Sequence, residues 1–178
     1  MSSINRQYFF ARVRSNVFAG SLKQKQVAGM TFLLDAWEND YAAKDDRWLA
    51  YALATVFHET AFTMQPIREF GGHAYFRKMY DIQGQRPSVA RALGNLTPGD
   101  GVLFHGRGYV QLTGRANYTK MQQHFGVDLT SSFEAADRVM DPAIAVKILF
   151  WGMEVGHFTG KKFGDSKLPL LVSVRSGA

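Results

Sequence analysis

Glu59 closes an apolar run, Val56-Phe57-His58-Glu59-Thr60, and Glu69 follows ten positions later, beyond Pro66. A carboxyl at the edge of a core is partly desolvated, and one near a helix C-terminus faces the negative end of the helix dipole. Both effects favour the protonated form, so Glu59 is expected to hold a proton near neutral pH and give it to a leaving oxygen. Glu69 is then the partner that strips a proton from water. An acid and a base on opposite faces of a sugar ring, with a water between, need roughly 6.5–9.5 Å between carboxyls. Asp81 competes with Glu69 for the second role. Plainer readings stand beside these: Glu59 as a surface residue at a fraying helix end, and Glu69 in a surface ion pair with Arg68.

The second chemical stretch is His105-Gly106-Arg107-Gly108-Tyr109-Val110-Gln111-Leu112-Thr113-Gly114-Arg115-Ala116-Asn117-Tyr118. Strand alternation puts Tyr109, Gln111 and Thr113 on one face and Val110 and Leu112 on the other. On that reading the polar face lines a groove, with Gln111 gripping hydroxyls and Thr113 holding a water. Asn117 follows one helical turn later. Thr113 also suits an ordinary helix N-cap.

Other motifs fall short. Gly106-Arg107-Gly108 has Gln111 where a dinucleotide loop needs its third glycine, and no phosphate loop is present. His58-Glu59 opens like a zinc-protease helix, but Phe62 stands where the second histidine belongs. The five histidines, His58, His73, His105, His124 and His157, lack ligand spacing, so neither metal nor cofactor is expected.

The elements that must position these residues are mostly helices. Apolar periodicity predicts one over Ile4–Val17, closed by Gly20, and another over Leu22–Trp37 with Val27, Met30, Leu33, Leu34 and Trp37 inward. Residues 1–40 thus form an N-terminal helical scaffold. A third helix begins at Asp45 or Asp46 and ends between Thr60 and Phe62. A short aromatic segment (Tyr75, Phe76, Tyr80) and a short helix over Ser88–Leu93 come next, then a loop over Asn95–Gly101. Val102–Leu112 reads as a hairpin or irregular strand pair. Helices over Arg115–Phe125 and Pro142–His157 follow, the last with Asp141 as cap and Pro142 at its first position. Residues 164–178 form a tail, mildly apolar from Leu168 to Ala178. The expectation is a single, mainly α catalytic domain over 1–178.

Composition narrows the partners. The chain has no cysteine, which removes disulfides and thiolate metal sites. Its net charge of +6 suits an anionic partner, though Arg6, Arg12, Arg14, Lys23, Lys25 and Lys44 are scattered rather than gathered in one tract. That scatter argues against nucleic acid. The first residues lack a signal-peptide pattern and no window reaches the length of a membrane span, so synthesis in the cytoplasm is expected.

At the two chemical stretches the sequence resembles the family 19 glycoside hydrolases, in their bacterial and phage endolysin branch. His58-Glu59-Thr60 resembles the family's His-Glu-Thr, and Gly106 to Tyr118 resembles its Gly-Arg-Gly-x-x-Gln-Leu-(Ser/Thr)-x-x-x-Asn-Tyr signature. The likeness spans roughly residues 50–163. It implies a two-lobed, lysozyme-like fold with a small β-hairpin at a cleft, and inverting cleavage of a β-1,4 linkage beside an N-acetylated sugar. It implies Glu59 as acid, Glu69 as base, Thr113 as water holder, and Gln111, Asn117, His58 and Tyr118 as sugar contacts. The expected protein is a monomeric endolysin that cuts peptidoglycan after release from the cell. The alternatives are a chitinase acting on N-acetylglucosamine polymers and a non-catalytic wall-binding protein. Two departures stand out. Ala61-Phe62 replace the family's Gly-Gly after His-Glu-Thr, so a differently shaped loop before Glu69 is expected. Beyond Phe158-Thr159-Gly160 the chain lacks the family's Asn-Gly segment, so a shortened groove wall is expected.

Overall fold

The computed structural model describes residues 3–158, 160 and 162–165; the tail from Leu168 to Ala178 lies outside the described residues. The chain is mainly helical, with α1 (Arg6–Asn16), α2 (Gln24–Asp40), α3 (Asp46–Glu59), α4 (His73–Tyr80), α5 (Pro87–Ala92), α6 (Asp100–Leu103), α7 (Arg115–Phe125), α8 (Phe133–Asp137) and α9 (Pro142–Val155). Two short strands, β1 (Ile67–Arg68) and β2 (Arg107–Gly108), make one antiparallel ladder. No helix among the described residues is long and apolar enough to cross a membrane.

The chain divides into two compact units, one of residues up to Gln65 and from Leu149 onward, the other of Pro66–Ile148. In the first unit α2 and α3 each follow an apolar stripe, whereas α1 buries Phe9 alone. Asn5 caps α1 by accepting from the Tyr8 amide, and Asp45 caps α3 by accepting from the Arg47 amide. Met30, Leu33, Leu34 and Trp37 of α2 are buried, as the helical period requires. Trp37 meets Phe150 and Phe163 edge-on, and Phe163 stacks on Trp48. The chain leaving α3 is tightly wound: Ala61, Phe62 and Met64 all have positive φ, a region that costs residues with a Cβ. Ala61 and Phe62 thus make the backbone turn here without glycine.

The second unit carries the small sheet and most of the corrections. The short aromatic segment, given no secondary structure from its pattern, forms α4, with Phe76 buried. Asp100–Leu103 is helical rather than loop and strand, because Gly101 lets α6 lie directly on α4. A Cβ there would stand 2.6 Å from the Asp81 amide nitrogen and 2.7 Å from the Tyr80 carbonyl carbon. β2 pairs with β1, Ile67 opposite Gly108 and Arg68 opposite Arg107. Of the expected hairpin or irregular strand pair over Val102–Leu112, one antiparallel bridge, Arg107 to Leu112, forms within the segment. Residues 109–111 form the turn between them, and Gln111 has φ of 50°. Strand alternation therefore fails there: Tyr109 and Leu112 are both buried.

Candidate active site

Glu69 follows directly on β1, and the ladder sets its place. Its amide donates to the Gly106 carbonyl at 2.8 Å, and its Oε2 accepts from the Gly106 amide at 3.2 Å. The other carboxylate oxygen, Oε1, accepts from the Tyr80 hydroxyl at 2.7 Å. Tyr80 was not singled out in the sequence. Its phenol is pushed up by burial and then by the carboxylate it serves, so it remains a donor. A half-buried carboxylate held at both oxygens has a fixed direction and still has lone pairs for a water.

Gly106 is the centre of the arrangement. A Cβ built on it would lie 2.9 Å from Gln111 Oε1, 3.1 Å from Glu69 Oε2 and 3.2 Å from Thr113 Oγ1. Three oxygens, one from the end of β1 and two from the turn that leads into α7, thus converge over one bare α-carbon. Gln111 spends its amide nitrogen on the Ile67 carbonyl at 3.0 Å, which leaves Oε1 turned toward this point. Thr113 donates its hydroxyl proton to the Gln111 carbonyl at 2.8 Å, so its oxygen is left to accept. It is not the helix cap, because Gly114 occupies that position without a side-chain bond. Asn117 donates to the Thr113 carbonyl at 2.7 Å and fixes the turn into α7.

Gly106→Ala should keep the fold and lose the arrangement. Its φ is not in the left-handed region, so alanine is tolerated by the backbone. The added methyl must push aside the tips of Glu69, Gln111 and Thr113, and displacements of about 1 Å cost on the order of 100-fold in rate. With the glycan cleavage proposed for this chain as the readout beside a thermal melt, the rate should fall with little change in Tm.

Several expected roles change. Tyr118 is buried, not a sugar contact: its hydroxyl accepts from Arg107 Nη1 at 3.0 Å and donates to the His105 carbonyl at 3.0 Å. Arg107 is 0% exposed, pairs through Nε with Asp137 Oδ1 at 2.7 Å, and lies over the Phe133 ring. The arginine of the Gly-Arg-Gly run is therefore an anchor for β2. Arg68 does not pair with Glu69; it also reaches Asp137. Burial alone would raise the Asp137 carboxyl, but hydrogen bonds from Arg68 and Arg107 outweigh it and hold the group below the usual carboxylate range. Asp81 is buried with one oxygen on the Gly99 amide at 2.7 Å and the other on the Gln83 amide at 3.2 Å, so it braces loops and is closed to water.

In the first unit Glu59 ends α3 and is exposed, as is His58 beside it. The expected placement of Glu59 at the edge of the core is not met. The buried polar residue at this helix end is Thr60, which donates to the Val56 carbonyl at 2.6 Å and accepts from the Met64 amide at 3.1 Å. No group of three or more potential metal ligands occurs among the described residues.

Comparison with family profiles, characterised proteins and solved structures gives no match.

His105 supplies a pH dependence beside the site. Its ring stacks on Phe76 at 4.2 Å, and Nδ1 lies 2.7 Å from the Val102 carbonyl. Burial pushes the imidazole pKa down; the Val102 carbonyl works against this, and the Arg107 charge adds to it. The folded chain then binds fewer protons than the unfolded one just below the ordinary histidine value of about 6.5. Stability from His105 is full above that value and is lost as pH falls through it. Tm should drop between pH 7 and pH 5, with a shallower slope in His105→Asn. An imidazole titrating above the ordinary value by NMR would contradict this.

Proposed function

We propose that this chain is a glycoside hydrolase that cuts β-1,4 linkages of peptidoglycan by single displacement, with inversion at the anomeric carbon. The observation that carries the reading is the convergence of Glu69 with Gln111 and Thr113 over Gly106, the last three within a stretch that resembles the family 19 signature. In this mechanism Glu69 accepts a proton from a water that also donates to Thr113 Oγ1. That water attacks the sugar from one face while Glu59 protonates the leaving oxygen on the other. Gln111 Oε1 and Asn117 orient the N-acetylated sugar, and His58 contacts it beside Glu59. The mechanism requires a lysozyme-like, two-lobed arrangement with roughly 6.5–9.5 Å between the two carboxyls. It also requires the bound saccharide to exclude water from Glu59, since that carboxyl is exposed in the free chain.

The net charge of +6 favours an anionic wall over uncharged chitin as substrate. Digestion of purified peptidoglycan and purified chitin, followed by reducing-end release and by NMR of the first-formed anomer, tests the proposal. Peptidoglycan cleavage giving the inverted anomer is expected. Turnover of chitin alone would replace the substrate assignment, a retained anomer would end the single-displacement mechanism, and binding without cleavage would leave a wall-binding protein.

A further inference from the structure

Asn95, in the second unit, is fully buried and spends its side-chain amide on two helix ends. Its Nδ2 donates to the Tyr80 carbonyl at 3.0 Å, and its Oδ1 accepts from the Arg115 amide at 2.8 Å. Tyr80 is the last residue of α4 and Arg115 the first of α7, positions whose backbone groups find no partner inside their own helix. Gly114 gives α7 no side-chain cap, so the oxygen that serves its first amide comes from 20 residues upstream. The two segments lie close together. A Cβ on Gly94 would stand 2.7 Å from Ala116 Cβ, and one on Gly114 would stand 2.6 Å from the Leu93 carbonyl oxygen. The Ala116 amide donates to that same carbonyl at 3.1 Å. Both ends that Asn95 holds lead into the site. The Tyr80 hydroxyl donates to Glu69 Oε1 at 2.7 Å, and Thr113 stands two residues before Arg115.

We propose that Asn95 is a positioning residue: by tying the end of α4 to the start of α7, it sets the gap across which Glu69 and Thr113 hold one water for glycan cleavage. The inference rests on the hydrolase reading and adds to it a residue that acts through Tyr80 and the Arg115 amide. A side-chain amide suits the task because it donates and accepts at once from one rigid plane. An asparagine that only completed two helix ends would affect stability alone. One that sets the gap must also affect turnover, because a misplacement of about 1 Å costs on the order of 100-fold in rate.

Asn95→Asp tests it, as a nearly isosteric change whose effect depends on pH. Ionised, the new carboxyl still accepts from the Arg115 amide but has no proton for the Tyr80 carbonyl; protonated, it serves both. Burial favours the protonated form. The ratio of variant to wild-type kcat on peptidoglycan should therefore lie near one at about pH 5 and fall about 100-fold toward about pH 9. KM should change little, and rates are compared below the melting transition of each chain. Tyr80→Phe cuts the tie at its far end and should lower kcat by itself. Adding Asn95→Asp to Tyr80→Phe should then cost less than it costs wild type. Full additivity of the two losses, or normal turnover by both variants across this pH range, would overturn the proposal. Crystal structures of wild type and Asn95→Asp, grown at about pH 9, give a readout without turnover. The distance from the Glu69 carboxylate to Thr113 Oγ1 should differ by about 1 Å between them, and an unchanged distance would also overturn it. A wild type that cleaves no glycan, with that difference present, would end the hydrolase reading and uphold Asn95 as the residue that places Glu69 against Thr113.

Discussion

Glu69→Gln and Glu59→Gln should each lower glycan cleavage by roughly 100- to 10,000-fold while leaving affinity for the wall nearly intact. Both side chains are assigned to proton transfers that develop only as the bond breaks, so their removal raises the barrier more than it weakens ground-state binding. In Glu69→Gln the amide oxygen can still accept from Tyr80 or from the Gly106 amide, so the local fold survives. What is lost is the lone pair that takes the proton from water. The double variant should be little worse than either single one, because acid and base act on one transition state. Steady-state rates with binding measured separately by wall pull-down decide the matter. The contrast is Asp81→Asn: its carboxylate is closed off by backbone amides, so its loss should destabilise the chain without this selective fall in turnover. A near-normal rate in Glu69→Gln, with a collapse in Asp81→Asn that exceeds its loss of folded protein, would reverse the assignment.

The helices were legible wherever an apolar stripe met a stop or cap signal. Asp45 ahead of Trp48, Leu49 and Ala52 marks α3, and the Arg115–Phe125 segment ends at Gly126 with positive φ. Local pattern was misleading where a long-range contact decides conformation. Alternation in Tyr109–Thr113 looks like a strand, yet β2 finds its partner 39 residues upstream, and Gln111 adopts a left-handed turn so that Nε2 can reach Ile67. Site residues showed a similar divide. Glu69, Gln111 and Thr113 were recognisable by type, whereas Tyr80 was hidden in an aromatic segment because nothing local shows its hydroxyl meeting Glu69. Gly106 was legible only as a strand breaker; its role as the floor beneath three oxygens needs the folded backbone. Tyr118 and Arg107 belong to a polar-looking motif but are buried: Arg107 pairs with Asp137, remote in sequence, and Tyr118 accepts from Arg107.

That pairing yields the largest expected loss of stability. Arg107 is fully buried, and its charge is balanced by Asp137 alone among the described carboxylates. Its remaining bonds go to neutral acceptors: the Leu103 carbonyl at 2.9 Å, the His105 carbonyl at 3.2 Å and the Tyr118 hydroxyl at 3.0 Å. Nη2 already lacks a described partner, so the guanidinium has no spare acceptor to turn to. Asp137→Ala would leave a buried cation uncompensated, at a cost of about 3–5 kcal/mol. For a chain of this size that is a fall in Tm of roughly 6–20 °C, readable by calorimetry. Arg68→Met removes the more exposed partner of the same carboxylate and should cost about 0–1 kcal/mol. Arg107→Met/Asp137→Leu, which removes both charges, should be milder than Asp137→Ala, since replacing a buried pair by apolar groups avoids the stranded charge. The order of these three separates a buried anchor from a surface ion pair. It also links stability to chemistry: Arg107 holds β2, β2 holds β1 by its register, and β1 delivers Glu69 to the Gly106 amide. Asp137→Ala should therefore depress cleavage even at temperatures where the chain remains folded.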